Sequence, residues 1–218
     1  MKTLREQTDA KIAAGRKAKP DFMKGVDEII AKAKAFQQGE NAIKTGQKAP
    51  DFKLPNATGN LVSLGSLLAE GIVVITFYRG SWCPYCNLQL RALQAKLPEI
   101  EALGATLVAI SPQVPDGSLT KDEISEMEFT VLSDQDAKVA SDYGVAWEVP
   151  EFLQDHMRVD RELDLEKINN GNDSILPIPA TFILGRDGIV QWNYVNVDYR
   201  TRSEPDEIVE VLKKLFQI

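Results

Sequence analysis

Apolar positions along this chain alternate between helical spacing and short continuous runs. The run from 72 to 78 is β-branched and aromatic, which is typical of a buried strand. The segment 84–103 that follows carries leucines at helical spacing, and Gly104 favours a helix end there. Further predicted elements are an extended segment over 61–64, strands over 106–110 and 130–132, helices over 122–129 and 136–143, a hairpin over 180–195 and a helix over 204–216.

Residues 1–45 differ from the rest because they are rich in Ala and Lys. Their apolar residues follow helical spacing, with Pro20 between two stretches, Asp21 as a start and Gly39 as a stop. We predict an N-terminal helical extension that packs on the core or on a second subunit, as in a homodimer. A helix lying on a membrane surface is disfavoured, because acidic residues are mixed among the lysines.

Strands alternate with helices from residue 46 onward and end in a hairpin. This order predicts one α/β domain over 46–218, a three-layer sandwich with a mixed central sheet flanked by helices. A polar, helix-prone insertion is expected over 150–166.

Composition and charge exclude some classes of partner. The 218 residues are 44% hydrophobic and 26% charged, as in ordinary globular proteins, and the net charge is −7. With no basic excess to neutralise phosphates, nucleic acid is not an expected partner. The N-terminus has no apolar signal segment and no apolar run is long enough to cross a bilayer, so we expect a cytoplasmic protein without membrane contact.

The chain has only two cysteines, Cys83 and Cys86, and one histidine, His156. The pair follows the predicted strand and opens the predicted helix, with Pro84 at the first helical position. Cys83 is then the N-cap, where amide groups and the helix dipole stabilise a thiolate, and Cys86 lies one turn on as a resolving thiol.

Two alternatives to a redox-active pair stay open. Zinc would need two further ligands, and His156 alone is available, so no metal is expected. Two structural buried thiols are the other alternative.

Several motifs together resemble a bacterial peroxiredoxin-like subgroup of the redoxin (alkyl hydroperoxide reductase and thiol-specific antioxidant) family. They are Ala-Pro-Asp-Phe at 49–52, Gly59 and Leu64, Phe-Tyr-Arg-Gly-Ser-Trp-Cys-Pro-Tyr-Cys at 77–86, Pro-Ala-Thr-Phe at 179–182, Arg-Asp-Gly at 186–188 and Asp-Tyr-Arg-Thr-Arg at 198–202. The resemblance implies a thioredoxin-like fold and a peroxidase that reduces peroxides through a sulfenic acid and a disulfide. It also implies recycling by thioredoxin or a similar dithiol, and no metal, flavin or nicotinamide cofactor.

Two positions depart from that family's pattern. Typical members carry Pro-x-x-x-Thr/Ser-x-x-Cys, where this chain has Thr76 and Gly80, with Ser81 one place away as a possible hydroxyl. Typical members also place an arginine where this chain has Pro179.

Other features resemble thioredoxin itself. Trp82 followed by the Cys-x-x-Cys pair is similar to its active site, and Pro179 before Thr181 resembles its cis-proline loop beside an open sheet edge. A general thiol–disulfide oxidoreductase is therefore a second hypothesis. A redox-switched binding protein is a third, suggested by the helical extension and the 150–175 segment.

Six further side chains are expected near the site or on the surface. Arg79 is a candidate support for the thiolate or a peroxide oxygen, and Arg200 or Arg202 a candidate replacement for the missing arginine, although solvated surface positions are favoured for all three. Trp82 is expected to shield the sulfur and to dock a partner. Tyr85 is expected to be exposed and to tune the redox potential, whereas His156 is read as an ordinary surface or helix residue.

Overall fold

A computed structural model describes residues 2–114 and 127–216 of the chain. In chain order the elements are α1 (Leu4–Ala18), α2 (Pro20–Ala35), β1 (Lys53–Pro55), β2 (Leu61–Ser63), α3 (Leu64–Glu70), β3 (Ile72–Phe77), α4 (Pro84–Ala102), β4 (Ala105–Ser111), β5 (Thr130–Ser133), α5 (Lys138–Asp142), β6 (Ala146–Glu148), α6 (Glu151–Asp155), a π-helical turn (His156–Asp160), α7 (Leu165–Ile168), β7 (Ile175–Pro177), β8 (Ala180–Leu184), β9 (Val190–Val195) and α8 (Pro205–Phe216).

The central sheet is mixed and has the strand order β5-β4-β3-β8-β9. Strand β3 lies at its centre, parallel to β4 and antiparallel to β8, so that Phe77 stands opposite both Ile110 and Ala180. All six residues of β3 are buried, because helices cover both faces of the sheet. The predicted mixed sheet flanked by helices is confirmed.

Alternate residues of β3 enter two cores on opposite sides of the sheet. Val73, Ile75 and Phe77 join one core, which also contains residues of α2. Val74 joins the other core, which contains buried leucines of α4 and α8. The continuous apolar run of β3 thus serves two layers at once, which makes the architecture a three-layer sandwich.

Some element boundaries differ from the sequence-based prediction. The segment over 61–64 is extended only to Ser63, whose side chain accepts a hydrogen bond from the Ser66 N–H and starts the unpredicted helix α3. Helix α2 ends at Ala35, before Gly39. Of the helix predicted over 122–129, residues 122–126 lie outside the described part of the chain, and residues 127–129 are not helical.

The N-terminal helices pack on the core of their own chain. Helix α1 begins at a capping box of Thr3 and Glu6, and its first N–H groups also donate to the Glu204 carboxylate. Helix α2 contributes Val26 to the core and ties Asp27 to the Arg200 guanidinium at 2.7 Å. The division into an extension over 1–45 and a domain over 46–218, like a homodimer, stays a prediction. Among the described residues, none of the helices is both long and apolar enough to cross a bilayer.

Candidate active site

The two cysteines lie where β3 ends and α4 begins. Cys83 is the N-cap of α4 with Pro84 in its first turn, as the sequence predicted. Cys83 is 1% exposed and Cys86 is fully buried on the inner face of the helix. The Asn87 N–H donates to the Cys83 carbonyl, which begins the helical hydrogen-bond ladder at the first cysteine.

A glycine-dependent turn holds the loop before the cysteines. Gly80 has a φ of +144°, and a Cβ built there would lie 2.3 Å from Trp82 Nε1. A hydroxyl residue therefore does not fit at the position where typical redoxins carry Thr or Ser. The Ser81 hydroxyl does not take its place, because the hydroxyl lies 3.1 Å from Gln113 Oε1, which also accepts the Ser81 N–H at 2.9 Å.

Two buried arginines surround the cysteine pair. Arg79 is 4% exposed, and its guanidinium lies 5.1 Å from the Trp82 ring centre and 4.4 Å from that of Tyr199. Arg202 is 5% exposed and donates from Nη2 to Cys86 Sγ at 3.0 Å. Neither guanidinium forms an ion pair with a described carboxylate, and an unpaired buried charge is costly. The anion available to balance them is a cysteine thiolate.

The expectation that Arg79, Arg200 and Arg202 are solvated surface residues was wrong. The turn over 198–202 folds back against the cysteines, and α2 covers its outer side. Arg200 is consequently buried between Asp198, which accepts from its Nε at 2.8 Å, and Asp27. Arg200 holds the turn in place, whereas Arg202 reaches the sulfur.

The electrostatic surroundings shift the pKa values of the two thiols in opposite directions. Burial opposes ionisation of Cys83, but the hydrogen bond from the Cys86 thiol, the charges of Arg79 and Arg202 and the Cys86 N–H together bring its pKa well below the ordinary value. Burial, the hydrogen bond to Cys83 and the negative charge on Cys83 raise the pKa of Cys86 well above its ordinary value. Cys83 is therefore the more acidic thiol of the pair, and the Cys86 thiol donates a hydrogen bond to it.

An open cleft of about 430 Å³ leads to Cys83. We call it the cysteine cleft. Its walls come from α1 and α2, from the loop over 79–85, from the segment over 153–161 and from Tyr199. Arg161 fixes one wall by donating to the Trp82 carbonyl at 2.8 Å. The segment over 150–166, predicted only as a polar insertion, thus shapes the approach to the sulfur.

The resemblance of Pro179 to a cis-proline is wrong. Among the described residues every peptide bond is trans, including the one before Pro179. Pro179 is buried, and neither it nor Thr181 lines the cysteine cleft. The Thr181 hydroxyl lies 2.9 Å from that of Ser203, inside a buried polar network with Thr76.

Tyr85 and His156 also differ from expectation. Tyr85 is half-buried and meets Tyr199 edge-on with ring centres 6.3 Å apart, and burial raises its pKa to about 12. His156 lies in a helical segment as predicted, but its ring packs on Phe22 at 3.9 Å and forms part of the cleft wall. Its Nδ1 lies 2.7 Å from Asp160.

Within the described residues, His, Cys, Asp and Glu side chains form no group of three or more that could hold a metal ion.

Comparison with known proteins agrees with this site. The model of the AhpC/TSA family matches residues 45–193. The chain belongs to the AhpC/TSA family. A putative peroxiredoxin bcp of Haemophilus influenzae is 34% identical over 113 residues, which cover 52% of this chain and 72% of that protein. Peroxiredoxin Bcp of Escherichia coli K12 is 27% identical over 174 residues, which cover 80% and 98%.

Solved structures confirm the thioredoxin-like peroxiredoxin fold. Peroxidoxin BcpB of Mycobacterium tuberculosis superposes with a TM-score of 0.61 at 22% identity, covering 79% of this chain and 98% of its own. A mutant of peroxiredoxin 6 of Arenicola marina gives a TM-score of 0.62 at 18% identity, covering 79% and 73%.

This AhpC/TSA chain builds its site from some residues that sequence reasoning missed. Tyr199 stacks on Arg79, and Met157 Sδ lies 3.7 Å from Arg79 Nη2. Tyr199 was visible inside the 198–202 motif, but neither Met157 nor Phe22 carried a local signal. Both belong to segments that reach the cysteines only through the tertiary fold.

Proposed function

We propose that this chain is a peroxidase that reduces peroxides with Cys83. The Cys83 thiolate attacks one oxygen of the peroxide, the O–O bond breaks and an alcohol or water leaves after taking a proton. Cys83 becomes a sulfenic acid. Arg79, which lines the cysteine cleft beside Cys83, is placed to stabilise the negative charge that moves to the leaving oxygen.

Cys86 completes the cycle as the resolving thiol. Its sulfur attacks the sulfenic acid, a water molecule leaves and the Cys83–Cys86 disulfide forms. An external dithiol of the thioredoxin type then reduces the disulfide and is itself oxidised. The proposed compartment is the cytoplasm, where reducing systems supply such a dithiol.

One observation supports the proposal most strongly. Cys83 is the N-cap of α4 and the Cys86 thiol donates to it, while two buried guanidiniums without a described carboxylate partner lie beside the pair, one of them donating to Cys86 Sγ. This arrangement lowers the pKa of Cys83 and keeps the resolving sulfur within reach. The proposed roles of the neighbours follow from their places: Arg202 and Arg79 stabilise the thiolate, Trp82 covers it and Gly80 and Ser81 shape the loop.

Mass spectrometry of the Cys86→Ser variant tests the proposal. After one equivalent of hydrogen peroxide, we expect one added oxygen on Cys83, because no resolving thiol removes it. The matched Cys83→Ser variant should gain none on Cys86, which is fully buried and does not line the cysteine cleft. An unoxidised Cys83 in the first variant would overturn the proposal.

A general thiol–disulfide oxidoreductase is supported less well by the geometry. The resemblance that suggested it placed a cis peptide bond at Pro179, and every described peptide bond is trans. A redox-switched binding protein stays a hypothesis, which a search for partners in both redox states would test.

A further inference from the structure

The cysteine cleft is cationic in a protein whose net charge is −7. Lys11, Lys19, Arg79 and Arg161 line it, together with His156, and no Asp or Glu is among the described residues of its lining. None of these four Lys and Arg side chains makes an ion pair with a described carboxylate. The remaining lining is largely aromatic and aliphatic. An anionic group attached to a small organic molecule fits such a cleft.

The redox state of Cys83 changes the charge balance at the floor of this cleft. In the reduced form the Cys83 thiolate balances the buried Arg79. When the Cys83–Cys86 disulfide forms, that negative charge disappears while Arg79 stays charged and buried. A buried cation without a counter-ion is unfavourable, so the disulfide form favours entry of an anion.

The molecule that has to meet the disulfide form is the reductant. We propose that the cysteine cleft binds a small carboxylate-bearing thiol on the disulfide form, as a reductant additional to a protein dithiol. This inference rests on the proposed peroxidase cycle, which passes through that disulfide. Lys11 and Lys19 at the rim would attract the carboxylate, and Arg79 would hold the thiolate beside the disulfide.

The reaction needs two molecules of the thiol. The first, as a thiolate, attacks Cys83 Sγ, the S–S bond breaks and Cys86 leaves and takes a proton. The second attacks the mixed disulfide and releases the Cys83 thiolate. Two small thiols are thereby oxidised to one disulfide, and the protein disulfide is reduced to two thiols.

Stopped-flow reduction of the disulfide form tests the inference, with the disulfide prepared by diamide. The probes are glutathione, which carries two carboxylates, and its diethyl ester, which carries none, with rates corrected to equal thiolate concentration. We expect glutathione to react about tenfold faster than the ester, equivalent to about 1.4 kcal/mol, with the advantage falling at high salt. Equal rates and equal salt dependence would overturn the inference.

Charge variants locate the effect. Lys11→Gln with Lys19→Gln should slow glutathione about fivefold and leave the ester unchanged, since each exposed cation contributes modestly. The matched control is Lys17→Gln with Lys32→Gln, which removes two exposed lysines of α1 and α2 outside the cleft and should leave both rates unchanged. An equal loss in both double variants would assign the effect to net charge and contradict the site.

Binding without chemistry gives an independent readout. Calorimetry with S-methylglutathione, which cannot react, should show binding to the disulfide form about tenfold tighter than to the reduced form. Equal affinity for both forms would overturn the redox coupling.

A carboxylate could instead belong to the peroxide. Oxidation of reduced protein by cumene hydroperoxide is therefore compared with oxidation by its para-carboxylate. We expect rates within about twofold of each other, because the Cys83 thiolate opposes a second anion. A preference for the carboxylated peroxide without one for glutathione would assign the cleft to the substrate. The diamide-prepared disulfide keeps this test separate from the proposed function, whose failure appears as a Cys83 that peroxide does not oxidise.

Discussion

Replacement of Arg79 by Gln should raise the pKa of Cys83 and slow its reaction with peroxide. The glutamine keeps a planar polar end between the Trp82 and Tyr199 rings but removes the charge. After burial and the Cys86 hydrogen bond, the charge of Arg79 is the largest influence on the Cys83 pKa. The substitution removes the side-chain charge and leaves in place the Arg79 backbone N–H, which hydrogen-bonds to Cys86.

The size of the effect follows from the surroundings. A cation within about 4–6 Å of an anion shifts its pKa by about 1–3 units, and each unit is about 1.4 kcal/mol. Arg202 remains in the variant, so we expect a rise at the lower end, about 1–2 units. Any loss of charge stabilisation at the leaving oxygen would add to the effect on the peroxide rate.

The assay is the pH dependence of iodoacetamide alkylation in a Cys86→Ser background, which leaves one titrating thiol. Arg79→Lys keeps a positive charge and should recover part of the shift, although a lysine does not stack in the same way. Arg186→Gln, in the exposed hairpin loop, is the charge-matched control and should leave the pKa unchanged. An Arg79→Gln pKa equal to that of the parent would refute the idea that this guanidinium stabilises the thiolate.

Three further predictions concern the loop, the extension and pH. Gly80→Ala should lower both the midpoint of thermal unfolding and the rate of reaction with peroxide, because the φ of Gly80 is +144° and the new Cβ would clash with Trp82. Unchanged values in both assays would contradict this loop conformation. Asp27→Asn should cost about 0.5–1 kcal/mol of unfolding free energy in urea, since Asp27 is partly exposed and its pairing with Arg200 is screened; no loss would mean that the pair does not anchor α2. Since the folded-state pKa of Cys83 is lowered, the reduced protein should gain stability as pH rises from that pKa towards about 8.5, the unfolded value, and lose it as pH falls through the folded pKa. A reduced Cys83→Ser variant should lack that gain. If urea unfolding gave the same pH profile for the variant and the parent, the pKa of Cys83 would not be lowered in the folded protein.

Local chemistry made the centre of the site predictable. Pro84 suits the first turn of a helix, and a helix that opens directly after a buried strand leaves Cys83 at the N-cap. The roles proposed for the two thiols were inferred from that placement alone. The strands of the central sheet were likewise predictable, because β3 is buried on both faces and so carries an uninterrupted apolar run.

The contacts of the arginines could not be predicted from the neighbouring sequence. Arg202 is 116 residues from Cys86 in sequence, and its contact with the sulfur depends on the turn over 198–202 folding back under α2. An arginine next to polar residues in a turn is normally solvated, so its sequence context pointed to the surface. Likewise, nothing around Pro179 in sequence distinguishes the trans bond found in the structure from the cis bond that the resemblance suggested.

By itself, then, the sequence determined the strand–cysteine–helix unit, the mixed sheet and the place of Cys83 at the helix N-cap, because these depend on capping, burial and spacing within a few residues. The tertiary structure alone decided which charges surround that sulfur and what shape the approach to it has. Both depend on contacts between segments far apart in the chain: Arg202 against Cys86, Tyr199 against Arg79, and α1, α2 and the segment over 153–161 around the cleft. Such contacts arise from packing of the whole fold, and no local pattern encodes them.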